Sequence, residues 1–277
     1  MRFADLHIHS FFSDGIFSPR QLLEMAKKEN IYCVSLTDHD SVGGYLNKEE
    51  GLDYLETEVE IIPGIELTTE YSSQEIHILG YFIDYKDPCF LEKLEFLRQK
   101  RTLRIKEMIK RLNALHVDID FEEIADTKSQ SLTRLHLAKA MVKRGIVGSI
   151  LEAFQKYIGE GKPAYVGTSH FNSIEAIKLV QNIKGLAVLA HPYSINNFEE
   201  ICATFIEVGL RGLEVYYPEH SPSLIDYYQG FAQTHGLLIT GGSDFHGDSY
   251  KKAEMIKIPY ILIERLKEER CRNISTL

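Results

Sequence analysis

Short apolar runs alternate along the chain with longer segments in which apolar residues recur every three or four positions. Runs of this length are typical of buried strands, and the recurring spacing is typical of amphipathic helices. The alternation predicts an α/β fold built on a parallel sheet. The seven predicted strands span residues 2–6, 32–36, 60–65, 76–82, 186–190, 212–217 and 237–240.

Polar residues mark where two of the helices begin. Ser18 followed by Pro19 and Gln21 predicts an N-cap, a first-turn proline and a capping box. Asn172 followed by Glu175 predicts a second capping box.

One long segment breaks the alternation, because residues 88–163 carry only helical patterns. A long amphipathic helix is predicted first, with shorter helices around 121–126, 134–144 and 150–158. We interpret 88–163 as a helical cap subdomain, inserted after the fourth strand of a barrel formed by residues 1–87 and 164–277. The apolar positions of the long helix are Leu94, Leu97, Ile105, Met108, Leu112 and Leu115.

Composition narrows the class of protein. The 277 residues are 44% hydrophobic and 26% charged, as in a folded globular chain. The net charge of −9 argues against a broad basic face for nucleic acid, although it is compatible with a local basic pocket. The four cysteines have no paired spacing, which argues against a disulfide framework and a thiolate zinc site.

The chain also lacks the patterns of membrane and secreted proteins. No apolar run reaches the roughly 18 residues that a membrane span needs, and no signal-peptide pattern precedes the first predicted strand. We therefore expect a cytoplasmic protein without a membrane partner, and no feature points to an obligate protein partner.

Histidines and carboxylates cluster where the predicted strands end. In a barrel of strands and helices the chemistry lies at the carboxyl ends of the strands, so these side chains are expected to meet in one place. His77 is the exception, because it lies within its predicted strand. The candidate metal ligands are His7, His9, Asp14, His39, Glu66, His77, His191, Asp244 and His246.

The individual motifs can also be explained by ordinary structural roles. Asp38 and Asp40 could cap the following helix, and His191-Pro192 could form a turn. A purely structural role is harder to assign to the pair His7 and His9, because burying two uncoordinated imidazoles on one strand is costly. Together the signals favour a metal site over scattered structural residues.

Five motifs of the chain resemble those of the PHP (polymerase and histidinol phosphatase) superfamily of metal-dependent phosphoesterases. The resemblance implies a distorted (β/α)₇ barrel with a trinuclear metal site. Mixed imidazole and carboxylate ligands suit two to three Mn²⁺, Fe²⁺ or Zn²⁺ ions better than Mg²⁺. The motifs are Asp5-Leu-His-Ile-His-Ser10, Thr37-Asp-His39, Gly64-Ile-Glu66, Ala190-His-Pro192 and Gly242-Ser-Asp-Phe-His246.

The resemblance also implies which residues share each metal position. One position would take His7, His9, Glu66 and Asp244. A second would take Glu66 as a bridge together with His77 and His191, and a third would take Asp14, His39 and His246.

Segments 131–138 and 159–166 resemble a subgroup that removes a phosphate from nucleoside 3′,5′-bisphosphates, some members of which trim short RNA from the 5′ end. Arg134 and His136 then correspond to phosphate-binding residues. Leu135 stands where the subgroup usually has proline. Lys162 could add a positive charge, and His220 matches a histidine that faces the site.

The hypothesis that follows is phosphomonoester hydrolysis of a nucleotide by a hydroxide that bridges two metals, with Asp14, Glu66 and His220 as candidate catalytic residues. His220, His136 or a metal-bound water would protonate the leaving oxygen. The alternatives are a 5′-3′ exoribonuclease acting on short RNA, a histidinol-phosphate phosphatase, and a non-catalytic metal-binding regulatory module.

A basic run on the long predicted helix has two interpretations. It could be a solvated helix face that opposes nearby glutamates, or Arg101 or Arg104 could face the site and meet a second phosphate or an RNA backbone. The run comprises Arg98, Lys100, Arg101, Arg104, Lys106, Lys110 and Arg111.

Overall fold

Two β-sheets surrounded by helices form a mixed α/β fold in a computed structural model, which describes residues 2–125, 129–168, 171–247 and 254–275. The strands within these ranges are β1 Phe3–Ile8, β2 Ile31–Leu36, β3 Glu60–Ile61, β4 Gly64–Tyr71, β5 Gln74–Tyr81, β6 Leu186–Leu189, β7 Gly212–Tyr216, β8 Leu238–Gly241 and β9 Ile258–Pro259. The helices are α1 Pro19–Lys28, α2 Gly43–Leu46, α3 Pro88–Ala114, α4 Glu122–Ala125, α5 Arg134–Lys143, α6 Ile150–Ala153, α7 Ser173–Asn182, α8 Phe198–Glu207, α9 Pro222–Thr234 and α10 Ile261–Ser275.

The strand order corrects the prediction of a parallel sheet. The first sheet has the order β3-β2-β1-β9 and the second has the order β4-β5-β6-β7-β8. Within the second sheet β5 runs antiparallel to both β4 and β6. The two-residue turn at Ser72 and Ser73, with φ of 49° and 60°, explains the reversal, because such turns match the twist of an antiparallel hairpin.

The predicted strand at 60–65 is in fact two strands that belong to different sheets. β3 ends at Ile61 and β4 begins at Gly64. Pro63 has no backbone N–H to continue the pairing. Gly64 is required here, because a Cβ at this position would lie 2.2 Å from Ser35 Oγ. The chain therefore passes from the first sheet to the second at this break.

The two sheets approach each other at two isolated bridges. His39, just past β2, pairs with Glu66 of β4, and Ile8 of β1 pairs with Phe245, which follows β8. The backbone hydrogen bonds there are 3.0 Å from Asp40 N to Glu66 O and 2.9 Å from His9 N to Phe245 O. Both bridges lie at the end of the sheets where the candidate ligands occur.

The described part of residues 88–163 contains helices joined by turns and no strand, as predicted; residues 126–128 lie outside the described part of the chain. α3 packs on the main core through Phe90, Leu94 and Leu97. Its second half, through Ile105 and Met108, joins a separate apolar cluster with α4, α5 and α6. The long helix therefore links two hydrophobic clusters. No helix in the described ranges is both long and apolar enough to cross a membrane.

The helix starts are mostly as predicted. The Ser18 side chain accepts from Gln21 N–H, and the Gln21 side chain accepts from Ser18 N–H, which completes the capping box. Asn172 caps α7 as predicted, but it accepts from Ile174 N–H at 2.8 Å. The short Asn side chain reaches the earlier amide, so the predicted reciprocal box with Glu175 is wrong.

Replacing Ser18 with Ala removes the hydroxyl that accepts from the first turn of α1. We expect the free energy of unfolding, measured by urea denaturation, to fall by about 1 kcal/mol. Arg20→Ala in the same turn is the matched control, because Arg20 is exposed and the change should be nearly neutral. An equal loss in both variants would show that the cap contributes nothing.

Candidate metal centre

The nine candidate ligands meet at one end of the two sheets. His77 joins them because β5 runs antiparallel: His77 pairs with Thr68 of β4, so the amino-terminal half of β5 lies beside the end of β4. The antiparallel direction of β5 therefore explains how His77 lies within its strand and still reaches the cluster. The ligand candidates occupy β1 and the loop after it (His7, His9, Asp14), the segment after β2 (His39), β4 (Glu66), β5 (His77), the segment after β6 (His191) and the segment after β8 (Asp244, His246).

The Glu66 carboxylate lies at the middle of this cluster and is buried. Oε2 lies 3.3 Å from His7 Nε2, 3.3 Å from His9 Nε2 and 3.1 Å from His39 Nδ1. Oε1 lies 2.8 Å from His77 Nδ1 and 3.0 Å from His191 Nε2. One carboxylate thus faces five imidazole rings.

Three groups of side chains bring their ligand atoms within 4.8 Å of one another. The first group, His7, His9, Glu66 and Asp244, is the set that the family resemblance implied for one metal position. The second group contains Asp14, His39 and His246, the set implied for the third metal position, together with His9. The third group consists of His39, Glu66 and His77. The role of each residue as a ligand stays a prediction.

Several buried atoms of the cluster make no hydrogen bond. They are His7 Nε2, His9 Nε2, Asp14 Oδ1 and Glu66 Oε2. Buried polar atoms without a partner are costly, so native proteins rarely leave them in groups. A set of nitrogen and carboxylate donors that face one another is the arrangement that divalent cations require. The residues present therefore fit a metal site.

Electrostatics keeps the two central carboxylates ionised. Burial alone would raise the pKa of Glu66, but the imidazoles of His39, His7 and His77 lower it well below its usual range. Burial likewise opposes the charge on Asp14, and His246 and His39 lower the pKa of Asp14 well below its usual range. Both groups thus hold the charge that a metal ligand needs.

A buried acid that sequence reasoning missed orients two histidines. Glu214 in β7 accepts from His7 Nδ1 at 2.9 Å and from the backbone N–H of His191 at 2.8 Å. A hydrogen bond at Nδ1 fixes the tautomer of His7 and leaves Nε2 for the centre. The sequence does contain an indication of this role, because Glu214 lies inside an apolar strand. An acid buried in such a strand rarely lacks a partner.

Asp38 and Asp40 do not cap α2, whose N-cap is Val42. Asp38 instead accepts from Ser10 N at 2.8 Å and from Ser13 Oγ at 2.6 Å. It therefore secures the loop that carries His9 and Asp14 into the centre.

Two arginines contact a second, largely buried acid beside the centre, Glu75, whose side chain is 10% exposed. Glu75 Oε1 accepts from Arg134 Nη2 at 2.6 Å, and Glu75 Oε2 accepts from Arg104 Nη2 at 2.8 Å. Burial would raise the pKa of Glu75, but Arg134 and Arg104 hold it well below its usual range. Arg101 pairs with Asp40 and donates to Thr68. Arg101 and Arg104 therefore turn toward the cluster, as in the second interpretation of the basic run, and their contact with a phosphate or an RNA backbone stays a prediction.

Two cavities adjoin the cluster. One of about 420 Å³ is lined by Glu66, His77, His191, Asp244 and Arg134, among others. One of about 150 Å³ is lined by Asp14, His39, Arg101, Arg104 and Arg134, among others. Arg134 thus reaches both cavities, and imidazoles and carboxylates of the cluster form part of each wall.

The other predicted substrate residues lie further out. His136 Nδ1 accepts from Thr133 N–H at 3.0 Å, so this ring caps α5, and burial lowers its pKa to about 4. Lys162 is exposed. His220 Nδ1 donates to Val215 O at 2.7 Å, behind the rings of Tyr193 and Tyr217. None of these three side chains lines either cavity, and their roles stay predictions.

A family model described as the PHP domain matches residues 5–256. The chain belongs to the PHP domain family. The 5′-3′ exoribonuclease Rnm of Escherichia coli (strain K12) is 30% identical to it over 247 residues, which cover 87% of this chain and 84% of the relative. A 3′,5′-nucleoside bisphosphate phosphatase of Chromobacterium violaceum is 29% identical over 248 residues, which cover 87% and 86%.

Solved structures agree with the PHP assignment. One from Chromobacterium violaceum, described as an amidohydrolase with bound sulfate, has a TM-score of 0.84 and 28% identity and covers 96% of both chains. One from Bifidobacterium adolescentis, described as a candidate metal-dependent phosphoesterase, has a TM-score of 0.83 and 26% identity and covers 95% of this chain and 94% of that one. The comparisons place the chain among PHP metal-dependent phosphoesterases, as the sequence resemblance implied.

Glu214→Gln keeps the shape of the side chain but removes the charge that orients His7. We expect affinity for Mn²⁺, measured by competition with a chelating dye, to fall roughly 10- to 100-fold, the usual effect of losing such a partner. Glu219→Gln is the matched control, because Glu219 is exposed in the segment after the same strand. Equal Mn²⁺ affinity in the two variants would exclude an orienting role for Glu214.

Proposed function

We propose that this PHP metal-dependent phosphoesterase hydrolyses phosphomonoesters of nucleotides, either a nucleoside 3′,5′-bisphosphate or a nucleoside monophosphate. The observation that carries the proposal is the position of Arg134, which lines both cavities next to the ligand cluster. A planar guanidinium there suits a phosphoryl group. The relative named a 3′,5′-nucleoside bisphosphate phosphatase supports the substrate class.

We interpret the two sheets as the wall of a distorted (β/α)₇ barrel. Ala4 and Leu6 of β1 share an apolar cluster with Leu79 of β5 and Val188 of β6, so the sheets pack across one interior. Residues 1–87 and 164–277 would form this barrel, which the bridges at Glu66 and Phe245 hold together.

Residues 88–163 would form the cap. Their separate apolar cluster supports treating them as a subdomain. Arg134 at the start of α5 and Phe154 at the end of α6 contribute to both cavities, so the inserted helices supply part of the site. A cap placed this way would exclude water and bring a cation to the substrate.

We propose that the cluster holds two to three divalent ions, of Mn²⁺, Fe²⁺ or Zn²⁺ type. His7, His9, Glu66 and Asp244 would hold one ion, and Asp14, His39 and His246 another. Glu66 with His77 and His191 would hold the third. When bound, such ions withdraw charge from phosphoryl oxygens and make water acidic enough to supply a nucleophile at neutral pH.

The residues around the cluster position the substrate. Arg101, Arg104 and Arg134 carry three positive charges, and Asp40 and Glu75 carry two negative charges, so one positive charge remains. Glu75 holds Arg134 through Nη2, and the other guanidinium N–H groups of Arg134 can then donate to phosphate. These five residues therefore leave a small net positive charge toward a phosphoryl group and no large excess of charge for anions in general.

A 5′-3′ exoribonuclease activity on short RNA is the second candidate. The smaller cavity is lined by Arg101 and Arg104 in addition to Arg134, which gives a second phosphate a place beside the first. The relative named 5′-3′ exoribonuclease Rnm also favours it. The first activity cleaves a phosphomonoester and releases inorganic phosphate, whereas the second cleaves a phosphodiester and requires a site that also admits the rest of the RNA.

Metal-free protein reloaded with Mn²⁺ and given adenosine 3′,5′-bisphosphate should release inorganic phosphate, detected colorimetrically. Asp244→Asn removes a buried carboxylate of the first ligand group, so we expect both Mn²⁺ content and phosphate release to fall at least 10-fold. A 5′-phosphorylated RNA trimer is tested in parallel by chromatography. Stepwise mononucleotides would favour the exoribonuclease, and unchanged turnover in Asp244→Asn would contradict the site.

Arg134→Ala should lower kcat/KM for adenosine 3′,5′-bisphosphate about 10- to 100-fold, because hydrogen bonds to charged groups are typically worth about 1.5–3 kcal/mol. Lys143→Ala is the matched control, since Lys143 is an exposed cation on the same helix. Arg134→Lys keeps the charge but loses the planar fork, so its loss should be nearly as large. A loss of equal size in Lys143→Ala would show that the effect is one of general charge.

A further inference from the structure

An exposed tyrosine stands at the edge of the larger cavity. Tyr193 lies in a single helical turn, Pro192–Ser194, directly after the candidate ligand His191. The side chain is 44% exposed and lines the cavity of about 420 Å³ together with Arg134, Phe154 and the ligand cluster. An aromatic surface therefore shares one cavity with the groups proposed to bind phosphate.

The Tyr193 ring is held in place and does not project loosely into solvent. It stacks on Tyr217 with ring centroids 5.7 Å apart and an angle of 23°, and it meets His220 edge-on at 5.9 Å. The Tyr217 hydroxyl donates to Asp244 Oδ2 at 3.0 Å. Tyr193 is thus tied through one buried ring to a carboxylate of the proposed metal site.

A second aromatic residue lines the same cavity. Phe154, from the inserted helices, lines the cavity, and the Arg134 guanidinium lies 5.5 Å from its ring centroid. The lining of the cavity therefore combines imidazoles and carboxylates, a cation and the aromatic rings of Tyr193 and Phe154. A ligand that matches this lining carries a phosphoryl group at one end and a flat, apolar ring at the other.

The simple alternative is that Tyr193 is one of several tyrosines left at the surface. Tyr227 on α9 offers a direct comparison, because it is also 44% exposed and also packs against aromatic neighbours. Tyr227 faces a different depression, however, which none of the candidate ligands lines. Tyr193 and Tyr227 are equally exposed, but of the two only Tyr193 lines a cavity beside the candidate ligands.

We propose that Tyr193 is the platform on which the base of a nucleotide substrate stacks, and that it makes the enzyme prefer nucleotides over phosphate esters of bare sugars. The inference deepens the proposed nucleotide phosphatase activity and rests on it. Stacking requires only the flat face of the base, so Tyr193 selects the class of nucleotides without choosing among bases.

The test compares adenosine 5′-monophosphate with ribose 5-phosphate, which share the sugar phosphate and differ in the base. Calorimetric titration of the metal-free protein measures both affinities for the natural chain, Tyr193→Ala, Tyr193→Phe and Tyr227→Ala. Tyr193→Ala should weaken adenosine 5′-monophosphate roughly 5- to 100-fold, the usual range for loss of one base–aromatic stack, and leave ribose 5-phosphate unchanged. Tyr193→Phe and Tyr227→Ala should behave like the natural chain.

Kinetics with the Mn²⁺-loaded protein give an independent readout. In Tyr193→Ala we expect KM for adenosine 3′,5′-bisphosphate to rise with little change in kcat, because the ring contacts the base and not the reacting phosphorus. A fall in kcat alone would mean instead that the substitution disturbs Tyr217 and Asp244.

Two results would overturn the platform: an unchanged ratio of the two affinities in Tyr193→Ala, or equal weakening of both ligands. A natural chain that binds adenosine 5′-monophosphate no more tightly than ribose 5-phosphate would overturn it as well. If the natural chain prefers the nucleotide and Tyr193→Ala abolishes that preference, but no phosphate is released from any nucleotide, the platform stands and the proposed reaction fails.

Discussion

The Glu66 carboxylate is buried among five imidazoles, and the arrangement of the candidate metal centre follows from this contact. Its two oxygens lie between 2.8 and 3.3 Å from ring nitrogens of five histidines. An anion at this depth is tolerated only beside opposite charge. Two oxygens cannot satisfy five imidazoles, and buried nitrogens of His7 and His9 make no hydrogen bond. The cluster is therefore more consistent with a set of ligands around cations than with an ion-pair network of the core.

The fold keeps this cluster in place through supporting groups outside it. Glu214 fixes His7 and the backbone of His191, Asp38 secures the loop of His9 and Asp14, and the Tyr217 hydroxyl holds Asp244. Helix α5 then brings Arg134 to a cavity that residues of the cluster also line. The candidate ligands come from strands and the segments after them, whereas the proposed substrate contacts come from residues 88–163 and the loop after β6. Such a division allows the substrate to change while the metal chemistry stays the same.

Sequence patterns predicted the convergence of the ligands, because strands that run the same way place their ends together. They did not predict that β5 runs antiparallel, since the direction of β5 depends on the short turn at Ser72 and Ser73. Glu75 and Glu214 were missed, because an acid in a strand reveals its partner only when distant residues such as Arg134 or His7 are folded against it. His136 was predicted to bind phosphate, and this stays a prediction, because its Nδ1 accepts at the start of α5 and leaves Nε2 as a donor.

Anomalous X-ray diffraction from crystals grown with Mn²⁺, measured at the manganese absorption edge, shows whether the histidine and carboxylate cluster binds several divalent cations. We expect at least two anomalous peaks inside the cluster, one among His7, His9, Glu66 and Asp244 and one among Asp14, His39 and His246. Manganese found only at exposed carboxylates elsewhere, with none in the cluster at saturating Mn²⁺, would contradict the account.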